Sequence, residues 1–254
     1  MSFTKILSRI IYFLKSQDAV SEVMDFVIFA GILILSLSII GIAGYPVLKN
    51  TQKNILIENT KQSFILLAAN INKIVLGQAP SQSMELKVDG GTVSVTGNST
   101  INITAKNSTG QTITLVDQQM RSIQSSTEDT VIAYEGTGAW AKYPDGAVLN
   151  FYEPLLARQD NILFVPVVYV SGDSSAGGSG IINVKVKGVQ SIAFYGNMSN
   201  ITVTIASSYS DAWKDYFISK LKWDSCNPNE CTARLNTPNV DVYILNIQMD
   251  TVIE

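Results

Sequence analysis

The feature that most constrains this chain is a long apolar stretch near its N-terminus. From Phe26 to Leu48 the residues are apolar apart from Ser36 and Ser38. At about 1.5 Å of rise per residue, a helix of this stretch reaches roughly 30 Å, enough to cross the hydrocarbon core of a bilayer. The sequence therefore predicts a membrane-length helix, and the fold must give this helix an apolar environment.

The order of the segments around this stretch argues against an ordinary secretory signal peptide. A small-residue site, Asp18-Ala19 followed by Val20, precedes the apolar stretch, whereas a secretory signal is cut after a shorter apolar run. We therefore predict a leader over residues 1–19. Basic residues lie on both sides of the stretch, so their distribution leaves its orientation across a membrane open. They are Lys5, Arg9 and Lys15 before it, and Lys49, Lys53 and Lys61 after it.

The composition argues against several classes of function. The chain has no histidine, which excludes Ser-His-Asp and Cys-His catalysis and disfavours a zinc enzyme. Its net charge of −3 offers no basic surface of the kind that nucleic acids need. No set of residues supplies a nucleophile, a base and an orienting group together. We therefore expect neither enzymatic activity nor a cofactor nor a bound metal, and no nucleic-acid partner.

Helical spacing of apolar residues continues past the apolar stretch. Apolar residues between Ile55 and Val75 recur with a helical period, and Gly77 suits a C-terminal cap. The simplest prediction is one long helix over residues 20–77, apolar all round over 20–48 and amphipathic afterwards. Gly44 and Pro46 are expected to kink it, and two helices joined at this point are the alternative.

Beyond the predicted helix the period changes to two, which is typical of strands. We expect a β-rich domain over residues 84–254, with a hairpin turn at Asp89-Gly90-Gly91. Short strands separated by Gly, Asn and Asp favour an antiparallel sandwich. The predicted fold class is thus α+β, a long N-terminal helix followed by an antiparallel β-rich domain.

One short helix is expected to interrupt the strands. Ser210 is a good N-cap for a helix over Asp211–Leu221. Its aromatic face, which includes Trp213, Tyr216 and Phe217, is expected to pack on the sheet, with a ligand-binding stripe as the alternative.

Two polar segments are better explained as connections between elements than as functional sites. The Gly-rich segment Gly172–Gly180 is expected to be a flexible connection between strands. A second loop, residues 224–230, offers oxygen ligands for calcium, although the spacing matches no EF-hand and a solvated turn is the better interpretation. Those ligands are Asp224, Asn227, Asn229 and Glu230.

Two further patterns carry information about the compartment. Cys226 and Cys231 are close enough in sequence for a local disulfide in an oxidising compartment, with two free thiols as the alternative. Acceptor patterns for N-glycosylation occur after the predicted helix and none occurs before it, which fits an external C-terminal domain. They begin at Asn98, Asn102, Asn107, Asn197 and Asn200.

Two carboxylates stand just ahead of the apolar stretch. Glu22 and Asp25 would be costly at the edge of hydrocarbon unless they are paired or reach the headgroups. Either both lie in the headgroup region, or one pairs with the free amino group that cleavage after Ala19 would create on Val20 of a neighbouring subunit.

The segment Asp18–Val23 ahead of a long apolar run resembles the class III signal of archaeal type IV pilin-like proteins. In that family a prepilin peptidase cuts after Gly, Ala or Ser preceded by a charged residue, so the resemblance implies cleavage between Ala19 and Val20, with Ser16-Gln17 as a second choice. Four later blocks look like segments of pilin-like surface proteins of methanogens and haloarchaea. They are Tyr134–Ala139, Asp145–Leu149, Gly177–Gly180 and Tyr209–Trp213.

The resemblance implies a structural subunit of the cell surface with no bond chemistry. Its helix would be stored in the cytoplasmic membrane and packed in a filament core, and its partners would be the peptidase and other pilin-like subunits. The size of the β domain favours a minor pilin or an adhesin. The bacterial pattern places a Glu at the fifth mature position, whereas Glu22 and Asp25 here would be third and sixth. The alternative is a single-span envelope protein that does not polymerise and whose external domain binds glycan or another surface protein.

Overall fold

The computed structural model describes residues 3–127, 130–223 and 231–254. The chain divides into two units, Met1–Ile55 and Leu56–Glu254. A long helix, α1 (Phe3–Val75), forms the first unit and continues into the second. The remaining described elements are strands and one short helix, which confirms the predicted α+β fold. They are β1 (Ser81–Thr96), β2 (Thr100–Lys106), β3 (Thr112–Gln119), β4 (Ser122–Ser126), β5 (Val131–Glu135), β6 (Gly138–Lys142), β7 (Val148–Tyr152), β8 (Ala157–Gln159), β9 (Ile162–Ser171), β10 (Ser175–Ala206), α2 (Ser210–Ser219), β11 (Cys231–Leu235) and β12 (Val240–Ile253).

Helix α1 begins earlier than predicted and ends where predicted. The leader residues from Phe3 onward are helical, and the helix continues through Pro46. At its C-terminus Gly77 has a φ of +70°, the left-handed conformation that glycine adopts at little cost. The Gly77 N–H donates to Ile74 O at 3.0 Å and the Gln78 N–H donates to Lys73 O at 2.8 Å. This is the Schellman pattern that closes a helix end.

The predicted hairpin turn at Asp89-Gly90-Gly91 is wrong. Strand β1 runs through these residues and pairs with β10 on both sides of a register shift between Asp89 and Gly91. The extra residue is absorbed as a β-bulge, because Gly90 adopts a φ of +79° that other residues rarely take.

The predicted flexible connection at Gly172–Gly180 is also largely wrong. Residues from Ser175 onward belong to β10, and Gly177, Gly178 and Gly180 pair with β1. Gly177 suits this close pairing, since a Cβ there would lie 3.0 Å from Thr92 Oγ1.

The strands form a main sheet with a side sheet attached. The main sheet has the order β7-β6-β5-β4-β1-β10-β12-β9-β8, and its pairs are antiparallel except for the parallel pair β9–β12. The side sheet has the order β3-β2-β10-β11 and uses the last part of β10, Ser199–Ala206. The sheet is therefore mixed, although mostly antiparallel as expected.

Strands β12 and β9 of the main sheet bury different faces along their length. The first half of each strand is covered on one face of the sheet, and the second half is covered on the opposite face. In β12 the buried side chains include Val242 and Ile244 on one face, and from Leu245 onward the odd-numbered residues of the other face are buried. The parallel neighbouring strand β9 changes its buried face a little further along, between Val167 and Val168, which lie opposite Asn246 and Ile247. The side sheet and α2 cover the first half, and the C-terminal part of α1 covers the second.

Buried side chains of α1 fill the space against the second half of the sheet, and hydrogen bonds fix their position. Asn72 is 3% exposed; its Nδ2 donates to Thr137 O at 2.9 Å and its Oδ1 accepts from the Tyr134 hydroxyl at 3.0 Å. Gln190 Nε2 donates to Ile74 O at 2.8 Å. The helix side chains in this core are Phe64, Leu67, Ala68, Ile71, Ile74 and Val75.

Helix α2 packs its aromatic face on the side-sheet core, as predicted. Trp213, Tyr216 and Phe217 are buried, and the interpretation as a ligand-binding stripe is not supported by this placement. The predicted N-cap is wrong: Tyr209 occupies the N-cap position, and the Ser210 Oγ donates to Ser207 O at 2.6 Å. Ser210 instead closes the turn that leads from β10 into the helix.

Candidate functional site

The first candidate site is the apolar part of α1 in the first unit. Its apolar side chains are exposed, with fractions that reach 78% at Ile42. An 18-residue window there has a mean hydropathy of 2.7 with none of it buried. Exposing one large apolar side chain to water costs about 1.5–3 kcal/mol, so this surface requires lipid or other helices. The helix is a candidate membrane anchor.

The two serines in this part of the helix satisfy their hydroxyls internally. Ser36 Oγ donates to Ile32 O, and Ser38 Oγ donates to Ile34 O, each at 2.8 Å. A helix in hydrocarbon has no water to bond with, so such bonds to the preceding turn let serine enter it at little cost.

The predicted processing and charge-pairing residues lie along α1. Asp18, Ala19, Val20 and Glu22 belong to its helical backbone, and the Asp25 side chain is exposed. Their roles stay predictions. The same holds for the kink: Gly44 is exposed, and apart from its chain neighbours and the helix backbone no atom of the described residues lies within 4 Å of a Cβ built there. Pro46 lies inside the helix.

The five predicted glycosylation sites differ in exposure. Asn98, Asn197 and Asn200 are exposed, whereas Asn102 and Asn107 are partly buried. Asn107 Oδ1 accepts from the N–H and the hydroxyl of Thr109, at 3.0 and 2.6 Å. Asn197 and Asn200 have φ angles of 57° and 46°, so both stand at irregular points of β10.

The predicted disulfide and the calcium loop fall mainly outside the described residues. Cys231 is buried at the start of β11, and Cys226 lies outside, as do Asp224, Asn227, Asn229 and Glu230. Both interpretations stay predictions. Within the described ranges, no three His, Cys, Asp or Glu side chains are grouped closely enough to hold a metal ion.

A buried carboxyl group that the sequence did not lead us to expect lies at the end of β5. Glu135 is 1% exposed. Ser99 Oγ donates to its Oε2 at 2.8 Å, Ser207 Oγ donates to its Oε1 at 2.6 Å, and Trp213 Nε1 donates to Oε1 at 3.4 Å. Burial raises the pKa of Glu135, and the hydrogen bonds oppose that rise.

The Glu135 cluster joins three distant parts of the second unit. Ser99 follows β1, Ser207 precedes α2, and Trp213 lies in α2. The centroids of the Trp140 and Trp213 rings lie 4.5 Å apart, and both side chains are buried beside the cluster. An acidic residue directly after the apolar strand Val131–Tyr134 was the available sequence signal. Because these hydrogen bonds join distant segments around a buried carboxyl group, we assign the cluster a structural role.

A shallow groove lies between α2 and β7. Its volume is about 250 Å³, and an ion pair between Lys220 Nζ and Glu153 Oε1, at 2.7 Å, stands at its rim. Both side chains of that pair are more than half exposed, so the pair contributes little to stability.

An edge of β10 is flanked by two surfaces of different chemistry. The first surface is on the face of the sheet against which the C-terminal part of α1 packs elsewhere. It is an apolar patch formed by Ile192, Phe194 and Tyr243. Ile192 is 71% exposed, and the centroids of the Phe194 and Tyr243 rings lie 4.9 Å apart. We call these three residues the apolar patch.

The opposite face carries a polar groove of about 260 Å³. Its floor is the cross-strand pairs Val189–Gln248 and Ser191–Asn246. Gln118 of β3 forms its wall, where the side sheet ends. No charged side chain of the described residues lines it. We call these five residues the polar groove.

Comparisons with known proteins place the chain in a family without giving it an activity. No curated protein matches the chain, and no solved structure matches it. One family model, described as a family of unknown function, matches residues 19–251 and so begins at Ala19. It covers the apolar part of α1 and nearly the whole β-rich unit. The chain belongs to this family of unknown function, DUF7289.

Proposed function

We propose that the protein is a type IV pilin-like structural subunit of an archaeal cell surface, a minor pilin or an adhesin. Its apolar helix holds it in the cytoplasmic membrane before assembly, and its β-rich unit lies outside the cell. The observation that carries the proposal is the apolar surface of residues 23–48, which is exposed on all sides of the helix. Lipid covers this surface in storage, and neighbouring helices cover it in a filament.

Two further observations support this proposal over a plain anchor. Residues Asp18–Val23, which resemble the class III signal of pilin-like proteins, stand directly ahead of the apolar stretch. The last turns of α1 form part of the core of the β-rich unit, so the helix that assembles also carries the surface domain. The work of the protein is protein–protein assembly, with no bond chemistry.

Membrane storage is tested by alkaline extraction of cell membranes. The wild-type chain is expected to stay in the pellet. A variant with Leu33→Lys and Leu37→Lys is expected to move to the supernatant, because each lysine at the middle of a span costs about 2.5–3.5 kcal/mol. Leu66→Lys is the control, since Leu66 is more exposed (64%) than Leu33 (46%) and Leu37 (60%) but lies in the second unit. Extraction of the wild-type chain by alkali alone contradicts the anchor.

Assembly is tested by electron microscopy of cells that express Ala19→Leu. Blocking the cut is expected to leave a longer, membrane-held chain and to remove it from surface filaments. Ala30→Leu is the control, because it adds the same side chain inside the apolar stretch. Filaments that contain uncut Ala19→Leu protein would contradict the pilin-like assembly.

A further inference from the structure

The middle of β10 has an open edge inside the main sheet. β10 pairs with β1 as far as Lys187 and with β2 from Ser199 onward. Between these points, Val189–Tyr195 pairs with β12 on one side, and no strand of the described ranges pairs with it on the other. We call this open edge the strand slot.

The backbone groups that face the strand slot can be identified from the hydrogen bonds on either side of β10. The Asn183 N–H donates to Glu254 O at 2.8 Å, beyond the end of β12. The Gly188 N–H donates to Pro80 O at 3.2 Å, on the β1 side. Successive residues of a strand direct their N–H and C=O groups to opposite sides. The N–H and C=O groups of the even-numbered residues Gln190, Ile192 and Phe194 therefore face the strand slot.

The sequence of the slot lacks the residue types that normally protect an open edge. Natural edges carry lysine, proline or inward-pointing charges that prevent pairing with another chain. Val189–Tyr195 reads VQSIAFY, with no charge and no proline. Its β-branched and aromatic residues favour pairing, and its side chains are exposed by 70% at Val189 and 56% at Phe194.

The two faces beside the slot define the side chains that an added strand would need. Side chains of a strand alternate between the faces of its sheet. On one face they would meet the apolar patch, and on the other they would meet the polar groove, which no described charged side chain lines. A matching segment alternates apolar residues with neutral polar ones.

We propose that the strand slot binds a short extended segment of another polypeptide with this alternation. The segment's backbone bonds to Gln190, Ile192 and Phe194 and completes the sheet, which is the β-augmentation mode of peptide recognition. Its apolar side chains cover the apolar patch, and its neutral polar side chains bond with the amides of Gln118 and Asn246. This binding goes beyond the proposed function and depends neither on cleavage of the leader nor on filament assembly.

The ends of the slot decide between a short segment and a second copy of β10. β1 occupies the position beside β10 at one end and β2 occupies it at the other. A second β10 spans 32 residues and would collide with both. The slot admits roughly seven residues, or about 24 Å of extended chain, so a chain terminus or an exposed loop fits.

Fluorescence anisotropy of a labelled peptide tests this proposal. The probe is an acetylated and amidated heptapeptide of alternating isoleucine and threonine, and the protein is the full chain in lipid nanodiscs. We expect saturable binding that weakens at least 10-fold when the alternate backbone amides of the peptide are N-methylated. Methylation removes the donors that a ladder needs and leaves the side chains in place.

Ile192→Pro is the matching change in the protein. The Ile192 N–H faces the open edge, so proline removes no bond to β12, and an edge is where a strand tolerates proline. We expect this variant to stay folded and to lose the peptide. Ile181→Lys is the control, because Ile181 is 68% exposed on the same strand but is paired with β1; it should bind as the wild type does. Should Ile192→Pro unfold, Phe194→Lys replaces it, since that change charges the rim without touching the backbone.

Three results overturn the proposal. The first is an absence of saturable binding to the wild-type chain, and the second is equal binding of the methylated and unmethylated peptides. The third is a dimer, seen by light scattering, that forms with rising concentration and that Ile192→Pro dissociates, while the peptide does not bind. That result would assign the slot to a second copy of the chain.

Discussion

Ile74 of α1 packs directly against Gly188 of β10 in the second unit. A Cβ built on Gly188 would lie 2.4 Å from Ile74 Cγ2, a distance that packed atoms cannot adopt. The glycine is required for space and not for its backbone conformation, because its φ is not positive. This contact sets how closely α1 packs against the sheet.

Gly188→Ala is therefore expected to destabilise the β-rich unit by about 1–3 kcal/mol, the usual cost of overpacking a filled core. Thermal unfolding of the chain measures the loss. Gly196→Ala is the matched control on the same strand: its new methyl group would meet the exposed Phe194 ring at 3.3 Å, and that ring can move. In an Ile74→Ala background the cost of Gly188→Ala should shrink. An equal cost in both backgrounds would show that the methyl group added at Gly188 does not clash with the Ile74 side chain.

Asn72 is expected to be the most sensitive polar residue of α1. Asn72→Ala leaves the Tyr134 hydroxyl and the Thr137 carbonyl without their buried partner, at about 1–3 kcal/mol for each unsatisfied group. Chemical denaturation should show this loss. Tyr134→Phe should cost less, because it leaves a single acceptor unpaired. Asn70→Ala, whose Oδ1 accepts from exposed Lys73, should cost under about 0.5 kcal/mol.

Glu135 is expected to make stability fall as the pH rises. Burial raises the pKa of its carboxyl in the folded state above the ordinary value of 4.5, so the folded state binds the proton more tightly than the unfolded state. Its contribution to stability is then greatest below pH 4.5 and is lost as the pH rises through the folded-state pKa. The loss is about 1.4 kcal/mol for each tenfold difference in proton affinity.

Glu135→Gln tests this dependence because it keeps the shape and removes the titration. Its Oε1 can still accept from Ser207 and Trp213, and its Nε2 can donate to Ser99 Oγ. The unfolding free energy of the variant, measured from pH 4 to pH 8, should lack the decline that the wild type shows. An identical slope in both proteins would assign the pH dependence to other groups.

The exposure of the asparagine side chains ranks the predicted glycosylation sites. On protein from native envelopes, peptide mass spectrometry should find glycan at Asn98, Asn197 or Asn200, which are exposed, before it finds glycan at Asn102 within β2. Asn→Gln at an occupied site should remove one glycan mass. Occupancy at Asn102 alone would contradict this ranking.

The sequence predicts the fold class and the C-terminal end of α1 better than it predicts the pairing of strands. Helical periodicity and Gly77 locate the end of α1, because both signals are local. The bulge at Gly90 was predicted as a turn, since the same Asp-Gly-Gly sequence serves both and only β10, far along the chain, decides between them. For the same reason Gly172–Gly180 was predicted as a connection, although β1 supplies a partner for most of it.

The candidate sites divide in the same way. The apolar stretch is evident from composition alone, because a membrane-length helix needs no tertiary partner to be recognised. The switch of the buried face between Ile244 and Leu245 is visible in the β12 sequence, but its meaning depends on which layers cover each half. The strand slot and the partners of Glu135 exist only where distant segments meet, so no local pattern identifies them.

The measurement that tests the central claim most directly is the N-terminus and intact mass of the chain isolated from native envelopes. A pilin-like subunit should begin at Val20, or at Gln17 if the second site is used, with a mass lower than that of the full chain by the leader. A chain that still begins at Met1 or Ser2 would contradict prepilin-type processing and leave a membrane-anchored surface protein that does not enter a filament.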